Sequence, residues 1–285
     1  MLGERLADRR VLVTFNGKSF DWPLLETRYR MSRKIPPPAP LAHLDFLHPA
    51  RNLWRLRLGS VRLSELERHV LGRDRSADIL PDLIPRIYLD FIRGGPPERL
   101  IPVFHHNQMD LRGLAALSAR ILSLLTDPET RGQDGLELFG VSRICEKRGD
   151  SVRARKLYAK SIASMLPVAT DRAAKRSLAR LARRDGDFAV ACELWTSAAG
   201  NSRQGYEAYE QLAIYHEHRA RDLHQARKVV RQALDELRRA NHNGAISPGA
   251  HREIKARFEH RMARLERKSE RPLLEILGTE FRPEG

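Results

Sequence analysis

Residues Val11–Leu25 read Val-Leu-Val-Thr-Phe-Asn-Gly-Lys-Ser-Phe-Asp-Trp-Pro-Leu-Leu. The stretch opens on an apolar run, Val11–Phe15, of the kind that forms a buried strand, and Asn16-Gly17 closes it with a turn signal. A helix is expected from Phe20 to about Met31, with Trp22, Leu25 and Tyr29 at helical spacing and Pro23 near the first helical position. Working outward, Leu41–Leu47 reads as a second strand with Asp45 inside it. The intervening Ile35-Pro-Pro-Pro-Ala-Pro40 can be neither helix interior nor central strand, so it is a loop. Ser60–Leu71 has a helical pattern with Leu63, Leu66 and Val70 inward. His106–Leu125 reads as a long helix carrying Leu111, Leu114, Leu117, Ile121 and Leu124 on one side. This strand–helix alternation implies an α/β arrangement with parallel strands.

After residue 130 the β signals stop, and residues 136–268 predict six or seven amphipathic helices. Three segments repeat: GDSVRARKLYAKSI from Gly149, GDFAVACELWTSAA from Gly186 and RDLHQARKVVRQAL from Arg221. Asp150, Asp187 and Asp222 align, and Ala154, Ala191 and Ala226 follow four residues later, before Leu157/Tyr158, Leu194/Trp195 and Val229/Val230. A period near 35 with helix–turn–helix content resembles tetratricopeptide repeats, although a plain array of α-hairpins would leave the same trace. Cys145, Cys192 and Trp195 read as repeat core. The expected division is therefore 1–128 for the α/β part, 129–270 for the helical repeats and 271–285 for a C-terminal tail.

Composition narrows the functional classes. The 51 basic residues against 36 acidic ones leave a net charge of +15, of which residues 131–285 hold +10. A basic surface attracts polyanions, although an Arg-rich genome produces the same bias. The longest strongly apolar stretch, Leu114–Leu125, is broken by Arg120 and is shorter than the roughly 20 residues a membrane span needs. Two cysteines, Cys145 and Cys192, form neither a disulfide framework nor a Cys-x-x-Cys metal motif. A cytoplasmic protein without a membrane partner is expected.

Two segments carry the chemistry. In the first, Asp21 follows the strand–turn at the start of a helix. It is either the helix N-cap or a metal-site carboxylate at the C-terminal edge of a parallel sheet. In the second, His105-His-Asn-Gln-Met-Asp110 places His106 and Asp110 four residues apart, on one helical face. NGKSFDWPLL is similar to the second motif, N-G-x-x-F-D, of the DEDD 3′→5′ exonucleases, and His106–Asp110 resembles their third, Y-x-x-x-D, with histidine for tyrosine. HLDFLHPARNLW and SVRLSELERHVLG resemble a bacterial YprB-like subgroup with a ribonuclease-H-like fold.

The resemblance spans residues 1–125 and implies a phosphodiester hydrolase in which four carboxylates hold two Mg²⁺ or Mn²⁺ ions. By position it makes Asp21 and Asp110 metal-site carboxylates and lets His106 orient or deprotonate the attacking water. It places Asn16 and Gly17 near the terminal nucleotide of a single strand, DNA or RNA, and gives Asp45 and Asn107 supporting roles. His105 stands five before Asp110, the spacing of the His-containing branch, so either histidine could face the metals. The family's first motif, D-x-E on an opening strand, has no counterpart. Only ten residues precede Val11, and their acids, Glu4 and Asp8, are poor substitutes. Either the chain starts at an internal methionine of a longer protein or the domain is a degenerate remnant, and full activity is not expected. In the repeat half, Arg172, Lys175, Arg176, Arg180 and Arg183 share one face, as a solvated surface or as a ridge that tracks phosphates. The competing function is a catalytically dead scaffold whose helical repeats bind nucleic acid or a protein partner.

Overall fold

The computed structural model describes residues 6, 9–34, 42–75, 78–131, 134–200 and 202–279, with the backbone alone at 204 and 271–279. The expected loop at 35–40, together with Leu41, Glu4 and Asp8, lies outside them. Strands β1 (Val11–Thr14) and β2 (Ala42–Asp45) pair in parallel, with Thr14 opposite Asp45. Helix α1 (Asp21–Met31) connects them. Parallel pairing requires such a crossover, which explains why a helix must stand between the two apolar runs. No residue of α1 is buried, so Trp22, Leu25 and Tyr29 do not form the inward stripe that their spacing suggests.

The second strand is shorter than its sequence pattern because Leu47 already begins helix α2 (Leu47–Leu58), which the strand reading hides. Asp45 accepts a hydrogen bond from Leu47 N (3.0 Å) and so supplies a partner for that helix start. Helix α2 buries Leu47, Ala50, Leu53 and Trp54. Helix α3 (Leu63–Val70) buries Leu66 as its pattern predicts, and also the polar Glu67. The short α4 (Ile84–Ile92) is a further helix, and α5 (Ile101–Thr126) starts five residues before His106. Leu117, Ile121 and Leu124 line the buried face of α5, whereas Leu111 is 70% exposed. The buried position in that part of the helix is Gly113, where a Cβ would meet Glu67 Oε1 at 1.6 Å. Glu67 thus occupies the space that a side chain on the helix would need.

After a single turn at Pro128–Arg131, the longer helices are α6 (Gly135–Lys147), α7 (Ser151–Ala163), α8 (Val168–Arg184), α9 (Phe188–Ala198), α10 (Arg203–His218), α11 (Leu223–His242) and α12 (Pro248–Thr279). The segment expected as a tail is therefore helical as far as residue 279. Pairs α6–α7, α8–α9 and α10–α11 each pack as a hairpin. The three aligned aspartates are the N-caps of the second helices: Asp150, Asp187 and Asp222 accept from the N–H groups of Arg153, Val190 and Gln225. Before each cap stands a residue of positive φ, Gly149 (84°), Gly186 (82°) and Arg221 (54°). That conformation reverses the chain between helices and suits glycine best. Ala154, Ala191 and Ala226 are fully buried, so the small residue of the repeat is where paired helices approach.

The chain divides into two compact units, residues 1–166 and 167–285. The first hairpin counts with the N-terminal part although its sequence texture belongs to the repeats, because α2 packs against α6. Their backbones nearly touch: a Cβ on Gly140 would lie 2.5 Å from Asn52 O and 2.9 Å from Leu53 Cα. In the second unit, Trp195, Leu212, Val230, Leu237, Phe258 and Leu265 form the core. Glu217, fully buried on α10, receives Lys268 Nζ (2.6 Å), Arg261 Nη1 (3.3 Å) and Arg264 from α12. Burial alone would raise its pKa, but Lys268 and Arg264 outweigh that and hold the carboxyl below its usual range. Replacing Gly140 with Ala should destabilise the first unit by roughly 1–3 kcal/mol, the cost of overpacking. Thermal unfolding should show this loss, with Gly249→Ala, a site open to solvent, leaving the transition in place.

Candidate functional site

Two clusters hold the residues singled out by the sequence. The first is the turn after β1. Asn16 has φ 70°, a left-handed conformation that asparagine tolerates, and Gly17 is buried so close to Thr14 that a Cβ would lie 2.5 Å from its Cβ. The Asn-Gly pair is thus a steric requirement of this turn. Asp45 brackets the same loop: Asn16 N donates to Oδ1 (2.8 Å) and Lys18 N to Oδ2 (3.0 Å). Phe46 N extends the pairing to Thr14 O (2.9 Å), and Thr14 Oγ1 lies 2.8 Å from His43 Nε2. Burial would raise the Asp45 pKa, but the N–H groups of Lys18, Leu47 and Asn16 and the charge of His48 lower it further.

Asp21 is the first residue of α1, and Phe20 occupies the N-cap position with no side-chain cap bond. The N-cap reading of Asp21 therefore does not hold. It favours the helix only as a carboxylate in the first turn. Asp21 is exposed, and among the described residues no hydrogen bond or ion pair joins it to another group.

The second cluster gathers around Arg75. Its Nη1 lies 2.6 Å from Asp110 Oδ1 and 3.4 Å from Asp78 Oδ2, and its Nε pairs with Glu67. His106 Nδ1 lies 2.8 Å from Asp78 Oδ2, and its Nε2 lies 3.5 Å from Asp110 Oδ2. His106 and Asp110 meet because four residues span one turn of α5. Burial disfavours the Arg75 charge, but Glu67 and Asp110 outweigh it and hold the guanidinium pKa above its ordinary value. Arg75 Nη2 is buried and makes no hydrogen bond among the described residues. Of the two candidate histidines, His106 faces Asp110, whereas His105 and Asn107 are exposed and unbonded among the described residues.

Sequence reasoning missed Arg75, Asp78 and Glu67, which lie outside both motifs. Glu67 had one readable signal, an acidic residue next to Leu66 on the inward face of α3. Among the described residues, no hydrogen bond or ion pair links the Asn16–Asp21 side to the Asp110 cluster.

The five basic residues of the repeat half do come together. Arg172, Lys175, Arg176, Arg180 and Arg183, all on α8, line one groove of roughly 230 Å³. Leu194 and Trp195 of α9 contribute to its floor, and Glu207 and Gln211 of α10 to its wall.

Known proteins resemble this chain in part. Residues 1–122 match the family model described as RNase_H superfamily. These residues are an RNase_H superfamily domain. The chain is also 30% identical over 228 residues to an uncharacterized protein, YprB, of Bacillus subtilis (strain 168). That alignment covers 79% of this chain and 55% of the relative, so the chain spans about half the length of the curated protein it matches. No solved structure matches the chain. Both residue clusters fall within the RNase_H superfamily domain, and the five-cation groove lies outside it.

A Mg²⁺ or Mn²⁺ ion needs several oxygen donors at about 2.0–2.1 Å. Among the described residues no group of three or more His, Cys, Asp or Glu is so gathered, and Asp110 Oδ1 is engaged by Arg75. The described residues, as arranged, do not fit a two-metal centre.

Removing the Asp45 bracket should loosen the turn. Asp45→Ala should cost about 1–3 kcal/mol, because three backbone donors lose their acceptor. Amide exchange at Asn16 and Lys18 should quicken in the variant at neutral pH. Because the folded pKa lies below the unfolded one, this contribution is complete above the ordinary aspartate range near 3.9 and fades as pH falls through the folded value. Stability measured from pH 7 into strong acid should therefore show parent and variant converging at the acid end.

Proposed function

We propose that this protein is built as a 3′→5′ exonuclease-type phosphodiester hydrolase for single-stranded nucleic-acid ends, with activity held low in this chain by the missing D-x-E carboxylates. The observation that carries this reading is the His106–Asp110 pair on one face of α5, inside an RNase_H superfamily domain. Its chemistry follows from the cluster. With Nδ1 tied to Asp78, His106 can present Nε2 as the proton-accepting atom beside Asp110, the arrangement a general base needs toward water. The buried Arg75 Nη2 is a spare donor for a phosphate oxygen. Asp21, Asn16 and Gly17 would contribute from the other motif, at the end of β1. Mg²⁺ or Mn²⁺ is the cofactor this reading expects. The described residues do not gather its donors as arranged.

A second reading is favoured by the Arg75–Asp110 ion pair, in which an arginine neutralises the motif carboxylate. On that reading the domain binds without hydrolysis, and the helical hairpins, taken as tetratricopeptide-like repeats, serve as a scaffold for a partner.

Hydrolysis of 5′-labelled single-stranded DNA and RNA, with Mg²⁺ or Mn²⁺ and after chelation, separates the two. The hydrolase reading expects slow stepwise shortening from the 3′ end, lost in Asp21→Ala and Asp110→Ala and slowed by about a further 10²–10⁴-fold in His106→Ala. Undiminished hydrolysis by Asp110→Asn would remove the motif assignment. Absence of hydrolysis, together with weak Mn²⁺ binding in calorimetry that Asp110→Asn does not change, would establish the binding reading instead.

A further inference from the structure

We propose that the groove bounded by α8, α9 and α10 is a docking site for an acidic peptide segment of a partner protein, anchored by one apolar side chain. This goes beyond the hydrolase reading and does not depend on it.

Three features of the lining point to that occupant. The rim is cationic and partly uncompensated. Lys175 is paired with Asp171 (2.8 Å) and Arg183 donates to Gln211 (2.7 Å), but Arg172 and Arg176 have no ion pair or hydrogen bond among the described residues. Four residues apart, their backbone positions are separated by about 6 Å along the helix, so two like charges face the same groove unrelieved. Carboxylates spaced along a peptide would relieve that repulsion.

The floor is apolar, formed by Ala179, Leu194, Trp195, Ala198 and Ala208. A volume of roughly 230 Å³ exceeds the ~150 Å³ that accommodates benzene in a dry cavity, so a leucyl or aromatic side chain fits.

The wall carries acceptors. Glu207 is exposed and unpaired among the described residues; Gln211, one turn further along α10, already accepts one bond from Arg183, and Glu210, also in the lining, is held by Arg257 and Arg261. Peptide N–H groups can donate to these acceptors, whereas a phosphodiester backbone has no N–H to offer. Single-strand sites also rely on open aromatic faces for base stacking, and the one aromatic residue here, Trp195, is only 7% exposed. Cations with an apolar floor and acceptor wall therefore favour an acidic, amphipathic peptide over a nucleic-acid strand.

The test selects random peptides displayed on phage against the full-length chain, then measures the enriched peptide by fluorescence anisotropy. Enriched sequences should carry Asp or Glu on both sides of a Leu, Ile, Phe or Trp. Changing their acids to amides, or the apolar anchor to serine, should each weaken binding. The double variant Arg172→Gln/Arg176→Gln should lose at least about tenfold in affinity, as should Ala198→Glu, which puts a carboxylate among the floor residues, with folding of both checked by circular dichroism. Labelled oligo-dT and oligo-U should neither bind as tightly as the peptide nor displace it. The proposal fails if no peptide is enriched, if the enriched peptides lack acidic residues, or if neither variant weakens them. It fails equally if the oligonucleotides bind more tightly and depend on Arg172 and Arg176, which would make the groove a phosphate track. None of these outcomes bears on His106 or Asp110, so the hydrolase reading stands or falls separately.

Discussion

The carboxylate of Glu137 is the interaction on which the first unit depends. It is 1% exposed, accepts from Trp54 Nε1 (2.8 Å), and lies 3.2 Å from Arg120 Nη2 and 3.6 Å from Arg57 Nη1. These partners come from α2 and α5, and Glu137 itself stands on α6. A buried charge is tolerated only with such company, and loss of one partner would leave it uncompensated. The consequence is positional. Helix α2 starts directly after Asp45 and the bracketed turn, and α5 carries His106 and Asp110. One buried acid therefore ties the helices that flank both motif clusters to the first hairpin of the repeats, which is why that hairpin packs with the N-terminal part.

Local signals read well where the chain itself supplies the partner. The Val11 and Leu41 runs and the Asn-Gly turn are short-range features, and the structure shows the strands and the tight turn they imply; the aspartates at 150, 187 and 222 mark the repeat in sequence, and only the structure shows them to be helix caps. Features that depend on remote partners did not read. Leu47–Leu58 begins as the end of a strand pattern and becomes a helix whose start is served by Asp45. The apolar series on α5 suggests that Leu111 turns inward, but Glu67 from α3 occupies the space beside Gly113, and a spacing rule cannot see a carboxylate from another helix. Trp22, Leu25 and Tyr29 share a helical face that is nowhere fully buried, Trp22 meeting His43 edge-on.

The candidate site divides in the same way. His106 and Asp110 are one turn apart, so their meeting could be read directly from the spacing. Asp78 and Arg75, which give the pair its setting, lie about thirty residues away in a segment with no motif. They also alter the chemistry. A bare carboxylate is a good ligand for a hard cation, whereas one held 2.6 Å from a guanidinium already has its charge balanced. For Asp110 to take part in metal chemistry, Arg75 would have to shift toward Glu67 or Asp78, both already within its reach. The motif therefore identifies the residue but does not by itself determine its state.

The net charge invites the same scrutiny. A surplus of fifteen positive charges suggests a polyanion partner only for those arginines that are free to meet one. Several are not. Arg57 and Arg120 serve Glu137, Arg75 serves Glu67 and Asp110, and Arg261, Arg264 and Lys268 converge on Glu217. Each of these carboxylates draws two or more cations or shares one, so part of the basic excess is spent on burying acids within the helical packing. Arg172 and Arg176 are different in kind, since they face a groove with an apolar floor and have no acid of their own among the described residues. Their repulsion persists in the folded chain without a compensating contact. A surface that keeps such a cost while offering an apolar floor and acceptors beside it is shaped for a ligand that carries negative charge, an apolar group and N–H donors together.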